Sequence, residues 1–190
     1  TGLNQYHDKI TEICMIKFNY FTNQTETFNT LVNPEKKIPQ IVTNITGIDQ
    51  SMVQDKPTFE QIAEQIVYFI NGNLQEKEKV YLIAHNNLGY DQLVLSSHFK
   101  RMGFNMADFN WVFLDTLLIG KKLYPQFKKY NLKALCQELG VQTLEAHRAE
   151  ADTTMLKNLF LRQLQDLQYA LEKPIEKIIN ELDIIRDYCL

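Results

Sequence analysis

Polar and apolar positions alternate along residues 9–18, with Ile10, Ile13, Met15 and Ile16 set among polar neighbours, which predicts a strand. Residues 26–32 predict a second strand, and the turn at 22–25 makes the pair a hairpin. Asn33-Pro34 ends it, the stretch to Gln40 reads as loop, and Thr46-Gly47-Ile48 reads as a turn or helix end. Pro57-Thr58 opens a helix whose Phe59, Ile62, Ile66, Phe69 and Ile70 share a face, and Asn71-Gly72-Asn73 stops it. Residues 79–84 form a short, nearly continuous apolar run, as expected of a strand inside a covered sheet. A helix from about Leu88 to Met102, a buried strand at Trp111–Leu114 and a helix from Asp115-Thr116 to Tyr124-Pro125 follow. Then come a helix from Leu132 to Leu139 closed by Gly140, a long helix from Glu150 to Ala170, and one amphipathic helix after Pro174. Strands first, then strands alternating with helices, predict an α/β domain with a mixed sheet covered by helices.

Two helical stripes contain a carboxylate. Asp152 is followed at helical spacing by Met155, Leu156, Leu159 and Phe160, and Asp91 by Val94, Leu95, His98 and Met102. A buried, unpaired carboxylate is costly. One such residue is as readily a cap or an ion-pair partner. Two, each in the first turn of its helix, point to a shared compensating charge, and a hard divalent cation prefers carboxylate oxygens. Asp115 directly precedes its helix and reads first as a cap. His147 lies five residues before Asp152, a rotation of about 140° on a continuous helix. It reaches the same site only from a loop ahead of that helix, where an imidazole of near-neutral pKa suits a general base. His85-Asn86 stands at the carboxyl end of an apolar strand, where open α/β sheets bind ligands; a polar pair tying down backbone groups explains it as well.

Hydrophobic residues make up 45% and charged residues 23% of the 190, enough apolar material for one cored domain. The net charge of −3 excludes a generally basic, nucleic-acid-coating surface, so any such contact is local and only modestly salt-dependent. Lys121-Lys122 and Lys128-Lys129 are candidates for phosphate contact, with solvated helix ends as the alternative. Cys14, Cys136 and Cys189 form no metal-ligand spacing and read as reduced thiols, hence a cytoplasmic setting. No apolar run is long enough to span a bilayer. The stretch at 163–167, Gln-Leu-Gln-Asp-Leu, reads as surface helix rather than a docking peptide.

Taken together, the motifs resemble the DEDDh 3′→5′ exonucleases, the group containing the proofreading subunit of bacterial DNA polymerase III. His85-Asn86-Asn87-Leu88-Gly89-Tyr90-Asp91 resembles the family's second motif, with Tyr90 where Phe is usual, and His147-Arg-Ala-Glu-Ala-Asp152 resembles the third. The stretches 33–39, 46–48, 115–117 and 131–141 resemble further landmarks in the same order, over residues 1–163. Thr1-Gly2-Leu3 resembles only the tail of the first motif; its Asp and Glu, and the strand carrying them, are expected upstream, since Asp8 and Glu12 belong to the next loop and strand.

The resemblance implies a ribonuclease H-like mixed sheet flanked by helices, with its first strand missing, an exonuclease domain at 1–163 and a helical extension or linker at 164–190. It implies two divalent cations, Mg²⁺ or Mn²⁺, held by Asp91 and Asp152, with His147 as the base. Thr1, Gly2, Leu3, His85 and Asn86 would position the 3′ nucleotide. The expected substrate is a single-stranded 3′ end of DNA, or of RNA, cut to nucleoside 5′-monophosphates. A DNA polymerase or helicase is the expected partner, in trans or fused. Without the first-motif acids the chain itself is expected to be inactive, and a non-catalytic binding module is the competing reading.

Overall fold

Alternating side chains make β1 (Glu12–Phe18) and β2 (Thr25–Leu31) an antiparallel pair, with Met15 opposite Phe28. In the computed structural model, which describes residues 1–2, 4, 6–72, 78–144 and 148–189, a loop then leads through two short helices, α1 (Gln40–Thr46) and α2 (Gln50–Val53). Next comes α3 (Phe59–Asn71), opened by a capping box: Thr58 accepts from the Gln61 amide and the Gln61 side chain accepts from the Thr58 amide. Its apolar stripe of Phe59, Ile62, Ile66 and Ile70 is buried, as the spacing predicts.

β3 (Val80–Ala84) and β4 (Trp111–Asp115) pair in parallel, with Ala84 opposite Asp115, so their carboxyl ends coincide. Between them α4 (Asp91–Arg101) forms the crossover. Then follow α5 (Thr116–Leu123), α6 (Leu132–Glu138), α7 (Ala149–Ala170), α8 (Ile175–Asn180) and α9 (Asp183–Cys189). One core cluster joins both strand pairs: Ile13, Met15 and Phe28 pack with Val80, Leu82 and Phe113 around Phe59, Ile66, Phe99 and Trp111. A second places Leu114 and Ile119 against Leu164, Leu167, Ile178 and Ile185, all fully or nearly fully buried.

The fold is α/β, but four expected features change. The mixed sheet is divided among the described residues into two two-stranded sheets, one antiparallel and one parallel. β3, despite its apolar run, is only half-buried at every position. The helix expected after Pro174 is two pieces. The backbone leaves the helical region at Glu181 (φ −130°, ψ 55°), and an Asp183–Lys79 ion pair ties the second piece to the start of β3. Finally, Gln163, Leu164 and Leu167 are core residues, not surface helix; the Gln163 amide donates to the Thr116 carbonyl at 2.9 Å. No described helix is long and apolar enough to cross a membrane.

His98, 1% exposed, fastens α4 to the segment before β1. Its Nδ1–H donates to the Val94 carbonyl (3.0 Å) and its Nε2 accepts from the Ile10 amide (3.4 Å), an arrangement available only to the neutral ring. Burial, followed by the charges of Arg101 and Lys9, lowers its pKa to about 4. The folded chain therefore binds fewer protons than the unfolded chain as pH falls from 6.5 toward about 4. Stability from His98 should be complete above that window and decline through it by on the order of 2–3 kcal/mol. Asp91, raised to about 6, acts in the opposite direction over the overlapping range. Urea unfolding as a function of pH should thus show a slope that His98→Leu reduces or reverses.

Candidate active site

The site begins at the shared carboxyl end of β3 and β4. Asp115, 6% exposed, ends β4 and starts α5. Its Oδ1 accepts from the Leu117 amide (2.9 Å), the cap expected from sequence, and from the Asn86 amide (2.9 Å), while Oδ2 accepts from the Leu88 amide (3.3 Å). The carboxylate therefore holds the loop that follows β3. Asn86 there has a left-handed backbone, φ 63°, a conformation that asparagine tolerates better than most residues. Asn87 is buried, and its Nδ2 bridges the Leu82 and Leu114 carbonyls (3.1 and 3.0 Å) across the two strand ends. Sequence reasoning passed over Asn87; a second amide side chain in a loop already explained by its neighbour carries no periodic signal.

This loop delivers Asp91 as the first residue of α4. The stripe behind it is buried at His98, but Asp91 itself is exposed, a correction to the expectation of an inward-facing group. Water reaches one side of the residue while protein crowds the carboxyl on others. That crowding, with the negative charge of Asp115 added, raises its pKa to about 6. Asp152 lies in the first turn of α7, half-buried, on the stripe that continues into buried Met155, Leu159 and Phe160. Both carboxylates offer the hard oxygen donors that Mg²⁺ or Mn²⁺ takes together with water and phosphate oxygens. Among the described residues no three His, Cys, Asp or Glu side chains gather into a complete ligand set. His147 and Leu3 lie outside the described residues.

The other candidate residues are engaged within the chain. His85 bonds through Nδ1 to the Thr116 hydroxyl (2.9 Å) and through Nε2 to the Tyr130 carbonyl (2.7 Å), which leaves it the role of tying the loop down. The Thr1 hydroxyl donates to Asp8 (2.8 Å) and accepts from the Lys9 amide (3.0 Å). The Gly2 carbonyl accepts from the Tyr90 hydroxyl (2.8 Å), a bond that phenylalanine at position 90 cannot make. Asn86 is exposed, in the loop that leads to Asp91.

A residue set aside in the sequence organises the start of α7, the helix that carries Asp152. Glu12 on β1 is largely buried at its side chain, and its Oε2 accepts from the Ala149 amide at the start of α7 (2.9 Å). Its Oε1 receives the Arg148 guanidinium through Nε (3.2 Å) and Nη2 (2.9 Å). A strand residue thus caps the helix carrying Asp152, whose own N-cap residue, Arg148, makes no side-chain cap. The detectable signal was an acid on the strand face shared with Cys14, whose carbonyl meets the Thr153 hydroxyl (3.4 Å). Glu12→Ala should cost about 1–3 kcal/mol in urea unfolding, since it leaves a helix-end amide unpartnered. Arg148→Ala, which removes a half-exposed ion pair, should cost under about 1 kcal/mol.

With this geometry in place, comparison with known proteins gives a consistent answer. The family described as "Exonuclease" (RNase_T) matches residues 1–160. Among curated proteins, the chain is 33% identical over 182 residues to the PolC-type DNA polymerase III of Caldanaerobacter subterraneus subsp. tengcongensis, covering 96% of this chain and 12% of that one. It is 30% identical over 161 residues to the 3′-5′ exonuclease DinG of Bacillus subtilis, covering 85% of this chain and 16% of that one. To the DNA polymerase III subunit epsilon of Aquifex aeolicus it is 28% identical, covering 76% of this chain and 67% of that one. The chain thus spans a small part of the long PolC-type and DinG relatives. In fold it is similar to the nuclease domain of 3′hExo, a DEDDh family member bound to rAMP, with TM-score 0.71 and 19% identity over 83% of this chain and 82% of that one. It is likewise similar to exonuclease X in complex with 5′ overhanging duplex DNA, with TM-score 0.63 and 23% identity over 84% and 85%.

Proposed function

The chain belongs to the exonuclease family, and on that footing we propose that it supplies a metal-dependent 3′→5′ exonuclease acting on the 3′ end of DNA, in proofreading within a DNA polymerase III assembly. The observation that carries this reading is the placement of Asp91: it opens α4 directly after the loop that Asp115 holds at the shared strand ends, and burial of its carboxyl, with the negative charge of Asp115 added, raises its pKa to about 6. The relatives named as DNA polymerase III supply the replication context.

Asp91 and Asp152 would hold divalent cations, Mg²⁺ or Mn²⁺, which when bound neutralise phosphoryl oxygens and acidify water. His147 takes the proton from the attacking water. In sequence it directly precedes Arg148 and Ala149, the two residues that Glu12 holds. Asn86 and Leu3 bracket the terminal nucleotide, Asn86 by hydrogen bonding and Leu3 by apolar contact. His85 and Asp115 keep the loop in shape without touching the substrate. Contacts of this kind do not read base sequence, which suits removal of any mispaired end.

The test is digestion of a 3′-labelled single strand by the chain preceded by an Asp-x-Glu strand, with Mg²⁺ or Mn²⁺ present. Mononucleotides should appear from the 3′ end, chelation should stop the reaction, and His147→Gln should slow it by about 10²–10⁴-fold. Undiminished digestion by Asp152→Ala or Asp91→Ala would refute the assignment. Equal strand binding with no digestion at all would favour a non-catalytic module, and matched DNA and RNA strands decide between the two substrates.

A further inference from the structure

The stretch from Thr116 to Leu144 carries five lysines and one acid, Glu138, in a chain of net charge −3. All five, Lys121, Lys122, Lys128, Lys129 and Lys133, are exposed, and none joins an ion pair among the described residues. Two have a local explanation. Lys121 and Lys122 occupy the last turn of α5, where the helix dipole favours cations, and Lys122 also lies over the Tyr188 ring at 5.5 Å. The other three have none. Lys128 and Lys129 sit in a turn between helices, and Lys133 sits in the first turn of α6, where the dipole disfavours positive charge.

That turn is held firmly on both sides. Phe127 stacks on Tyr124 with ring centroids 5.1 Å apart, and the Tyr130 hydroxyl donates to the Tyr124 carbonyl at 2.7 Å. The Tyr124 hydroxyl in turn donates to Asp166 on α7 at 2.7 Å. The Tyr130 carbonyl meets His85 Nε2 at 2.7 Å, so Lys128 and Lys129 stand beside the loop that carries Asn86 and leads to Asp91. Two uncompensated cations thus stand next to the strand-end site, and Lys133 follows them in the first turn of α6, on a molecule otherwise acidic.

We propose that Lys128, Lys129 and Lys133 form the track for the phosphate backbone of the strand whose 3′ end enters the site. This rests on the exonuclease reading above and adds to it the surface that holds the strand behind its terminus. The lysines see phosphates and not sugars or bases, so DNA and RNA strands of one length are held alike through this surface. A dinucleotide, too short to extend beyond the strand-end site, gains little from it.

The test measures binding of single strands to the chain by fluorescence anisotropy across a salt series without divalent ions, for matched DNA and RNA and for a dinucleotide. Each phosphate that a variant no longer neutralises should remove about 0.7 from the slope of log affinity against log salt on a single strand. Replacing Lys128, Lys129 and Lys133 together by Ala should therefore make the slope shallower by about 2 for both long strands, while dinucleotide binding stays as it was. Replacement by Arg should keep the slope, and Lys121→Ala with Lys122→Ala should leave it unchanged. If the triple Ala variant does not fold, the three single variants carry the test, each with its share of the change. A slope equal to that of the unaltered chain overturns the proposal, as does equal weakening for the dinucleotide. An unchanged slope in a form that still digests strands from the 3′ end leaves the exonuclease reading standing. A lysine-dependent slope, with no digestion by the chain preceded by an Asp-x-Glu strand, does the reverse.

Discussion

Asp115 accepts three backbone N–H groups, from Asn86, Leu88 and Leu117, and much of the site depends on those bonds. Hydrogen bonds from amides to a carboxylate are stronger than those between neutral groups. One bond starts α5 and the other two bend the loop after β3 through the left-handed conformation of Asn86. Only with that bend does α4 begin at Asp91, at the mouth of the site rather than further along the helix. Asn87 and His85 brace the same loop by bonding to groups outside it, Asn87 to the Leu82 and Leu114 carbonyls and His85 to the Thr116 hydroxyl and the Tyr130 carbonyl.

The start of α7 follows a similar rule. Glu12 reaches from β1 to the first amide of α7 and brings Arg148 with it. The strand and the helix are far apart in sequence, and this junction sits directly after His147. An acid thus fixes the backbone at each of two places, Asp115 for the segment leading to Asp91 and Glu12 for the start of the helix that carries Asp152. Neither acid is one of the two carboxylates proposed to hold cations. The acids that shape the site and the acids proposed to serve it are different residues: Asp115 is bound to amides, while the carboxyl of Asp91 is raised to about 6 by burial and by the charge of Asp115.

Charge is divided across the molecule in the same way. Acidic groups converge on the strand ends, and the lysines of the turn before α6 lie next to them, held by Tyr124 and Tyr130. Such an arrangement attracts a polyanion to a site that would repel it without its cations. Moreover, the core is shared: the two strand pairs do not bond to one another among the described residues, yet Phe59, Phe99 and Trp111 pack both into one cluster.

Periodicity, with turn and cap residues, located β1 to β4 and α3 to α7 but not the short α1 and α2, because burial on one face imposes a spacing that a longer element must repeat locally. The same spacing exposed Asp91 and Asp152 as acids on apolar stripes, and Asp115 as a cap, since caps and stripes are properties of neighbouring residues. Tertiary structure decided the rest. It showed Asp91 open to water, divided the expected sheet in two, broke the last helix at Glu181, and made Gln163 and Leu164 core. It assigned His85 to Tyr130 and Glu12 to Ala149, partners 45 and 137 residues away. No local pattern encodes such pairs: their bonds depend on which chain segments the core brings together, and that is settled only when the whole domain packs.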